Sequence, residues 1–123
     1  MVSVLVIDDD HQMRRMLRRG LEEKGYEVFE ATDGSKGIEL YGEHPTDIVL
    51  TDIFMPHQEG LETIMTLRRD FPDVRILAMS GGSIIDSDTC LHMAKGLGAK
   101  RVYAKPFRMS KLLKDIDELL NNG

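Results

Sequence analysis

VLVIDDDHQMRRML occupies residues 4–17. Val4, Leu5, Val6 and Ile7 form an apolar, largely β-branched run that stops at Asp8, Asp9 and Asp10. Met13, Met16, Leu17 and Leu21 then recur at helical spacing until Gly25. A buried strand therefore feeds an amphipathic helix, and the junction is acidic. Two carboxylates about 4 Å apart repel by ~4 kcal/mol at an effective dielectric of ~20. An aspartate after a strand is often a helix N-cap, which suits Asp9 or Asp10 singly. Three in succession need a further reason.

The same strand-then-helix pattern recurs along the chain. Tyr26 to Ala31 alternates, with Glu27 and Glu30 interrupting it, as at a sheet edge. A weaker helix covers Ser35 to Glu43. Asp47 to Thr51 is a strand with Ile48, Val49 and Leu50 at its centre. Leu61, Ile64, Met65 and Phe71 mark a third helix, stopped by Pro72. Val74 to Met79 is a strong strand, and a helix follows over Asp86 to Leu97. Val102 to Ala104 is a short strand. Met109, Leu112, Leu113, Ile116, Leu119 and Leu120 form the clearest amphipathic helix. Five such βα units predict an α/β fold with a parallel sheet and helices on both faces. The first, third and fourth strands are the most apolar, which places them inside the sheet. That fits the doubly wound, flavodoxin-like order 2-1-3-4-5 better than an order with the first strand at an edge, and ligands of such sheets sit beyond the carboxyl ends of the strands where the order reverses.

Those carboxyl ends carry the chemistry. The first strand leads to Asp8 and Asp9, the third to Asp52 in VLTDIFMP, the fourth to Ser80 in ILAMSGGS, and the fifth to Lys105 in VYAKPF. With strands 1 and 3 adjacent, Asp8, Asp9 and Asp52 converge, and Ser80 and Lys105 approach from the other side. Clustered carboxylates ask for a cation. A hard divalent ion with oxygen ligands fits, and Mg2+ accepts few carboxylates and several waters. Carboxylate, divalent metal, lysine and hydroxyl together suit a phosphoryl group. Taken singly, each has a plainer reading. Asp52 before Pro56 is turn chemistry, Ser80-Gly81-Gly82-Ser83 is a flexible turn without the lysine of a P-loop, and Lys105-Pro106 is a turn before the last helix.

Bulk properties narrow the classes. A chain of 123 residues, 41% hydrophobic and 30% charged, can build one sizeable core and predicts a single domain over residues 1–123. A net charge of -5 argues against direct nucleic-acid binding. The single cysteine, Cys90, reads as buried and inert and suits a reducing compartment. With no membrane-length apolar run and no signal peptide, the expectation is a cytoplasmic protein without membrane attachment. His11, His44, His57 and His92 show no metal-ligand spacing, and the methionines read mostly as core packing.

In order and spacing, VLVIDDD, DIVLTDIFMP, ILAMSGG and GAKRVYAKPF resemble the CheY-like receiver domain of bacterial two-component response regulators, and the resemblance covers essentially the whole chain. It implies a phosphoacceptor switch. Asp52 would take a phosphoryl group from a histidine kinase or histidine phosphotransfer protein. Asp9, Asp52 and the backbone carbonyl of Phe54 would hold Mg2+, with Asp8 acting through a water. Ser80 would hydrogen-bond the phosphoryl group, and Lys105 would contact it across a cis Lys105-Pro106 bond. A downstream protein target would read the strand 4 to helix 5 face, and the chain would be a monomer or a phosphorylation-dependent dimer. Beyond its own phosphorylation and dephosphorylation no enzyme activity is implied.

The sequence also departs from the family. Members often carry an aromatic residue three positions before the lysine. Here that position is Val102, and strand alternation turns the following Tyr103 to the other face. The loop GGSIIDSD could carry partner contacts. Arg14, Arg15, Arg18 and Arg19 read as a solvated helix face, with Arg18 and Glu22 available as an i,i+4 pair, or as a partner-binding face. Two other functions stand beside the switch. One is a pseudo-receiver that binds partners without phosphorylation, against which Asp9, Asp52, Ser80 and Lys105 all speak. The other is a Mg2+-dependent phosphohydrolase like the haloacid-dehalogenase enzymes, for which Asp8-x-Asp10 is formally present but a cap domain is not.

Overall fold

A computed structural model describes residues 1–54, 60–81 and 87–121, without the side chains of residues 87, 88, 90 and 91. The expectations for Cys90, His57, the loop at 82–86 and the tail at 122–123 lie outside the described residues. Five strands alternate with five helices: β1 (Ser3–Ile7), α1 (His11–Glu23), β2 (Glu27–Ala31), α2 (Gly34–Glu43), β3 (Ile48–Asp52), α3 (Gly60–Asp70), β4 (Ile76–Ser80), α4 (Ser87–Gly96), β5 (Arg101–Ala104) and α5 (Met109–Asn121). All strand pairings are parallel, in the order β2-β1-β3-β4-β5. Element boundaries fall within about two residues of those read from the sequence, the usual uncertainty at element ends.

Residue alternation along each strand builds two cores. Leu5, Ile7, Val49, Ile76 and Ala78 face one side, where they meet Tyr41 of α2, Ile64 and Leu67 of α3 and Ala94 of α4. Val4, Val6, Ile48, Leu50, Leu77 and Met79 face the other, against Leu17 and Leu21 of α1 and Leu112 and Ile116 of α5. Most of these side chains are fully buried. Each Val, Leu, Ile or Met among them contributes about 1.5–3 kcal/mol of transfer free energy, which fixes strand register and so the position of the strand ends.

The methionines depart from their reading. Met16, Met65 and Met93 are 45%, 54% and 49% exposed, and among the internal methionines described only Met79 is fully buried. Helical spacing located the apolar stripe of α1, but Met16 lies at its edge and Leu17 at its centre.

Tyr103 does point away from the face that Val102 joins. Val102 packs with the α2, α3 and α4 core, and Tyr103 with the α1 and α5 core. The Tyr103 hydroxyl donates to Oδ2 of buried Asp115 at 2.6 Å, and Lys111 Nζ donates to Oδ1 at 3.2 Å. Burial first, then this carboxylate, raises the Tyr103 phenol well above its ordinary range. Tyr103→Phe leaves Asp115 dependent on exposed Lys111. It is expected to cost about 1–3 kcal/mol in urea denaturation, the penalty for unpairing a buried polar group. A loss below 0.5 kcal/mol, on the order of a surface substitution, would show that Asp115 is satisfied without the tyrosine.

Candidate functional site

Parallel register delivers the site. Ile7 pairs with Thr51, so Asp8 and Asp52 each continue one of two adjacent strands. Asp52 pairs with Met79, and Ser80, one residue on, pairs with Ala104 just before Lys105. The five residues expected from the sequence therefore gather at one end of the sheet.

The three aspartates of the opening stretch have three different environments. Asp8 is fully buried. Its Oδ1 accepts the Asp10 amide at 2.9 Å and its Oδ2 accepts Lys105 Nζ at 2.9 Å. Asp9 is exposed, with no hydrogen-bond partner for its carboxylate among the described residues. Asp10 faces away from the cluster and caps α1, accepting the amides of Gln12 and Met13 at 3.0 and 3.4 Å. The acidic cluster is thus Asp8, Asp9 and Asp52, whose carboxylate oxygens can all lie within 4.8 Å of one another. Such a set of hard oxygen donors, one of them exposed, fits Mg2+.

Lys105 Nζ bridges the buried pair, 2.9 Å from Asp8 and 3.3 Å from Asp52. Burial alone would lower its ammonium, but the Asp8 hydrogen bond and the two carboxylate charges outweigh that and hold it above its ordinary value. Asp52 is 6% exposed. Burial chiefly, and the Asp8 charge, push its carboxyl up from 3.8 to about 6, against the pull of Lys105 and of the Phe54 amide 3.3 Å from Oδ1. It is a carboxylate of raised basicity beside a cation, suited to nucleophilic attack on an electrophile that carries negative charge. Ser80 is buried at the end of β4, where its carbonyl accepts the Lys105 amide at 2.7 Å. The Lys105-Pro106 bond is cis.

Two glycines shape this end of the sheet, and nothing in their spacing announced it. A Cβ on Gly60 would lie 2.3 Å from the Asp52 carbonyl oxygen and 2.3 Å from Ile53 Cα, so only glycine lets α3 begin against the end of β3. A Cβ on Gly81 would lie 2.8–2.9 Å from the Lys105 stem. Gly81 is therefore the slot through which Lys105 reaches the carboxylates, a more specific role than a flexible turn.

Beside Lys105 lies an open concavity of about 600 Å³ floored by Met13, Met16, Pro106 and Phe107, with Asp10 and Gly81 on its wall. A hollow of about 660 Å³ at the other end of β4 and β5, among Arg68, Arg75, Lys100 and Arg101, has no part in the carboxylate cluster.

A doubly wound sheet with a lysine-bridged acidic cluster at its switch point defines a class, and comparison with known proteins gives the same one. The chain belongs to the response regulator receiver domain family, whose sequence pattern it matches over residues 4–117. It is 32% identical to the response regulator receiver protein CpdR of Brucella abortus over 98% of both chains. It is also 32% identical to the chemotaxis protein CheY of Bacillus subtilis, over 96% of this chain and 97% of that one. The response regulator MprA of Mycobacterium sp. (strain KMS) is 36% identical over 97% of this chain, which spans only 50% of MprA. A CheY-like receiver domain from Methanospirillum hungatei shares the fold at a TM-score of 0.89, with 24% identity over 99% of this chain and 95% of that one. A response regulator from Burkholderia pseudomallei, solved with a phosphorylated aspartic acid, a calcium ion and citrate, superposes at 0.81, with 28% identity over 99% of this chain and 72% of that one. The chain is accordingly a signalling domain of the two-component type, a switch and not a conventional enzyme. Among the described residues no helix is long and apolar enough to cross a membrane.

The raised Asp52 carboxyl has a signed consequence in metal-free protein. Between its ordinary value of 3.8 and about 6 the folded state binds this proton more tightly than the unfolded state. The resulting stabilisation is full below the ordinary value and is lost as pH rises through about 6. Asp52→Asn cannot ionise and escapes that loss. In EDTA at neutral pH the variant is expected to be more stable than wild type by about 1–3 kcal/mol, with the gap closing near pH ~4. Urea denaturation across pH reads the difference, and parallel curves would show that folding does not raise the Asp52 carboxyl.

Proposed function

We propose that Asp52 is the phosphoacceptor of this receiver, with Lys105 and Ser80 as its catalytic partners and Asp8, Asp9, Asp52 and the Phe54 carbonyl as its metal site. One observation carries the reading: Asp52 is a nearly buried carboxylate of raised basicity between the Lys105 ammonium and an acidic pair. Asp9 and Asp52 would hold Mg2+ with the Phe54 carbonyl, and Asp8 would act through a water. When bound, the metal supplies neutralising charge for the phosphoryl oxygens. The phosphorylated aspartic acid and calcium ion of the Burkholderia protein support this reading by analogy.

The chemistry then belongs to the chain's own side chains. An Asp52 carboxylate oxygen attacks phosphorus in line, the P–N bond of a donor phosphohistidine breaks, and its electron pair returns to the imidazole. Lys105 trades one carboxylate contact for a phosphoryl oxygen, and Ser80 donates its hydroxyl to another. The donor is a histidine kinase or a histidine phosphotransfer protein, and the apolar floor of Met13, Met16, Pro106 and Phe107 beside Lys105 is where it would dock. A downstream protein reads the β4 to α5 face, and water later removes the phosphoryl group. Residues 1–123 act as one receiver unit in the cytoplasm, as a monomer or a phosphorylation-dependent dimer. The phosphohydrolase reading loses its second aspartate, because Asp10 is committed to capping α1.

Acetyl phosphate with Mg2+ is expected to add one phosphoryl group at Asp52, labile to alkali as an acyl phosphate is. Asp52→Asn should abolish the label and keep the fold. A label on another residue by mass spectrometry, or none where a control receiver is labelled, would leave the pseudo-receiver. Turnover of small phosphate esters would revive the hydrolase. Lys105→Ala is expected to retain Mg2+ binding and slow phosphorylation by about 100-fold, the effect of losing one charge-stabilising contact in the transition state. An undiminished rate would remove Lys105 from the catalytic set.

A further inference from the structure

Arg14 does not belong to the solvated face on which the sequence put it. Arg15 and Arg19 are exposed, but the Arg14 side chain is only 12% exposed and turns back toward the end of β1. Its Nη1 donates to the Asp8 carbonyl oxygen at 2.8 Å, and its Nε donates to Glu30 Oε1 of β2 at 3.1 Å. Glu30 is gripped a second time by Arg18 Nε. Burial alone would raise the Glu30 carboxyl, but the bonds from Arg18 and Arg14 hold it below its ordinary value. The guanidinium fork is therefore anchored at one end and applied at the other to the main chain of the acidic pair.

We infer that Arg14 is a positioning residue for the metal pair, an inference that rests on reading Asp8 and Asp9 as part of the metal site. The Asp8 carbonyl and the Asp9 amide are one planar peptide unit. Fixing the carbonyl fixes where the Asp9 Cα lies, and the Asp10 amide bound to Asp8 Oδ1 holds the next peptide, so the two together set which way the Asp9 side chain leaves. Asp8 is held at every polar atom, its amide on the Ala31 carbonyl, its carbonyl by Arg14, and its two carboxylate oxygens by the Asp10 amide and Lys105. The Asp9 carboxylate has no partner of its own among the described residues. Its approach to the other two carboxylates is set by its backbone, and Arg14 holds that backbone.

The charge of Arg14 makes the inference testable by sign. A cation beside a cation site weakens metal binding through space, so deleting it for charge alone would tighten Mg2+. Deleting a positioning contact would loosen Mg2+, typically by about tenfold for a group that orients a ligand. The probe is Mg2+ alone, titrated into uniformly labelled protein and followed through the backbone amide resonances of Asp8, Asp9 and Asp52. Arg14→Met is expected to weaken Mg2+ by about tenfold. Arg14→Lys, which keeps the charge but cannot fork between Asp8 and Glu30, should weaken it as well, which a purely electrostatic role would not do. Arg15→Met removes the same charge from the exposed face of the same helix, and should leave affinity unchanged or slightly tighter.

Arg14→Met that binds Mg2+ as well as wild type or more tightly, with only a lower melting temperature, makes Arg14 a structural clamp and overturns the inference. Should Arg14→Met fail to fold, Arg14→Lys against Arg15→Met decides by the same comparison. A wild type whose Asp8, Asp9 and Asp52 amides ignore Mg2+ removes the metal site itself, and this inference with it. A responsive wild type with an indifferent Arg14 variant removes the inference alone.

Discussion

The ammonium of Lys105 between Asp8 and Asp52 is the interaction on which the rest of the site depends. Two carboxylates, one fully buried and the other nearly so, are brought together by the pairing of adjacent parallel strands, and their repulsion is partly offset by one charge arriving from the far side of the sheet. Lys105 lies 97 residues from Asp8 and 53 from Asp52 along the chain. Only the completed sheet brings them together. The two apolar cores hold the register that makes this meeting possible, and Gly81 keeps open the space the lysine stem needs.

Much of this was legible because parallel sheets translate burial into sequence. Strands covered on both faces read as continuous apolar runs, and Val4–Ile7, Ile48–Leu50 and Ile76–Met79 do so. The edge strand β2 carries Glu27 and Glu30, which a central strand could not tolerate. Apolarity separated the inner strands from the edges and favoured the doubly wound order, and from that order came the convergence of Asp8, Asp9, Asp52, Ser80 and Lys105. The gathering of these five residues needed no knowledge of loops, since each one ends or directly follows a strand.

What stayed hidden depends on direction and clearance, which spacing does not encode. Asp9 and Asp10 are alike in sequence, yet one turns toward the cluster and the other caps α1. Glu30 looked like an interruption of β2, but it anchors Arg14 and Arg18 of α1. Arg14 and Arg15 are adjacent, and a rotation of about 100° per residue sends one inward and the other to solvent. Met13 and Met16 matched the helical stripe, but they line a concavity beside Lys105. Gly60 and Gly81 are small because neighbouring backbone or lysine stem fills the space a Cβ would take, and that neighbour is distant in sequence for Gly81.

The disposition of charge around the cluster shows how a positive neighbour can support an acidic site without cancelling it. Three carboxylates, Asp8, Asp9 and Asp52, face one ammonium, which leaves two negative charges when all are ionised. That balance matches one divalent cation. Arg14 is close enough to disturb it, but its guanidinium addresses the Asp8 carbonyl and not the Asp8 carboxylate, and Glu30 neutralises it locally. Arg18 shares the same acid and also pairs with Glu22. Arg14 and Arg18 are thus spent on β2 and on the main chain, and the site keeps its negative charge. Were Arg14 to reach the Asp8 carboxylate, it would compete with Lys105 for the same oxygens, and the lysine would lose the partner that holds it beside Asp52. The separation of main-chain from side-chain recognition at Asp8 keeps geometry and charge independently set.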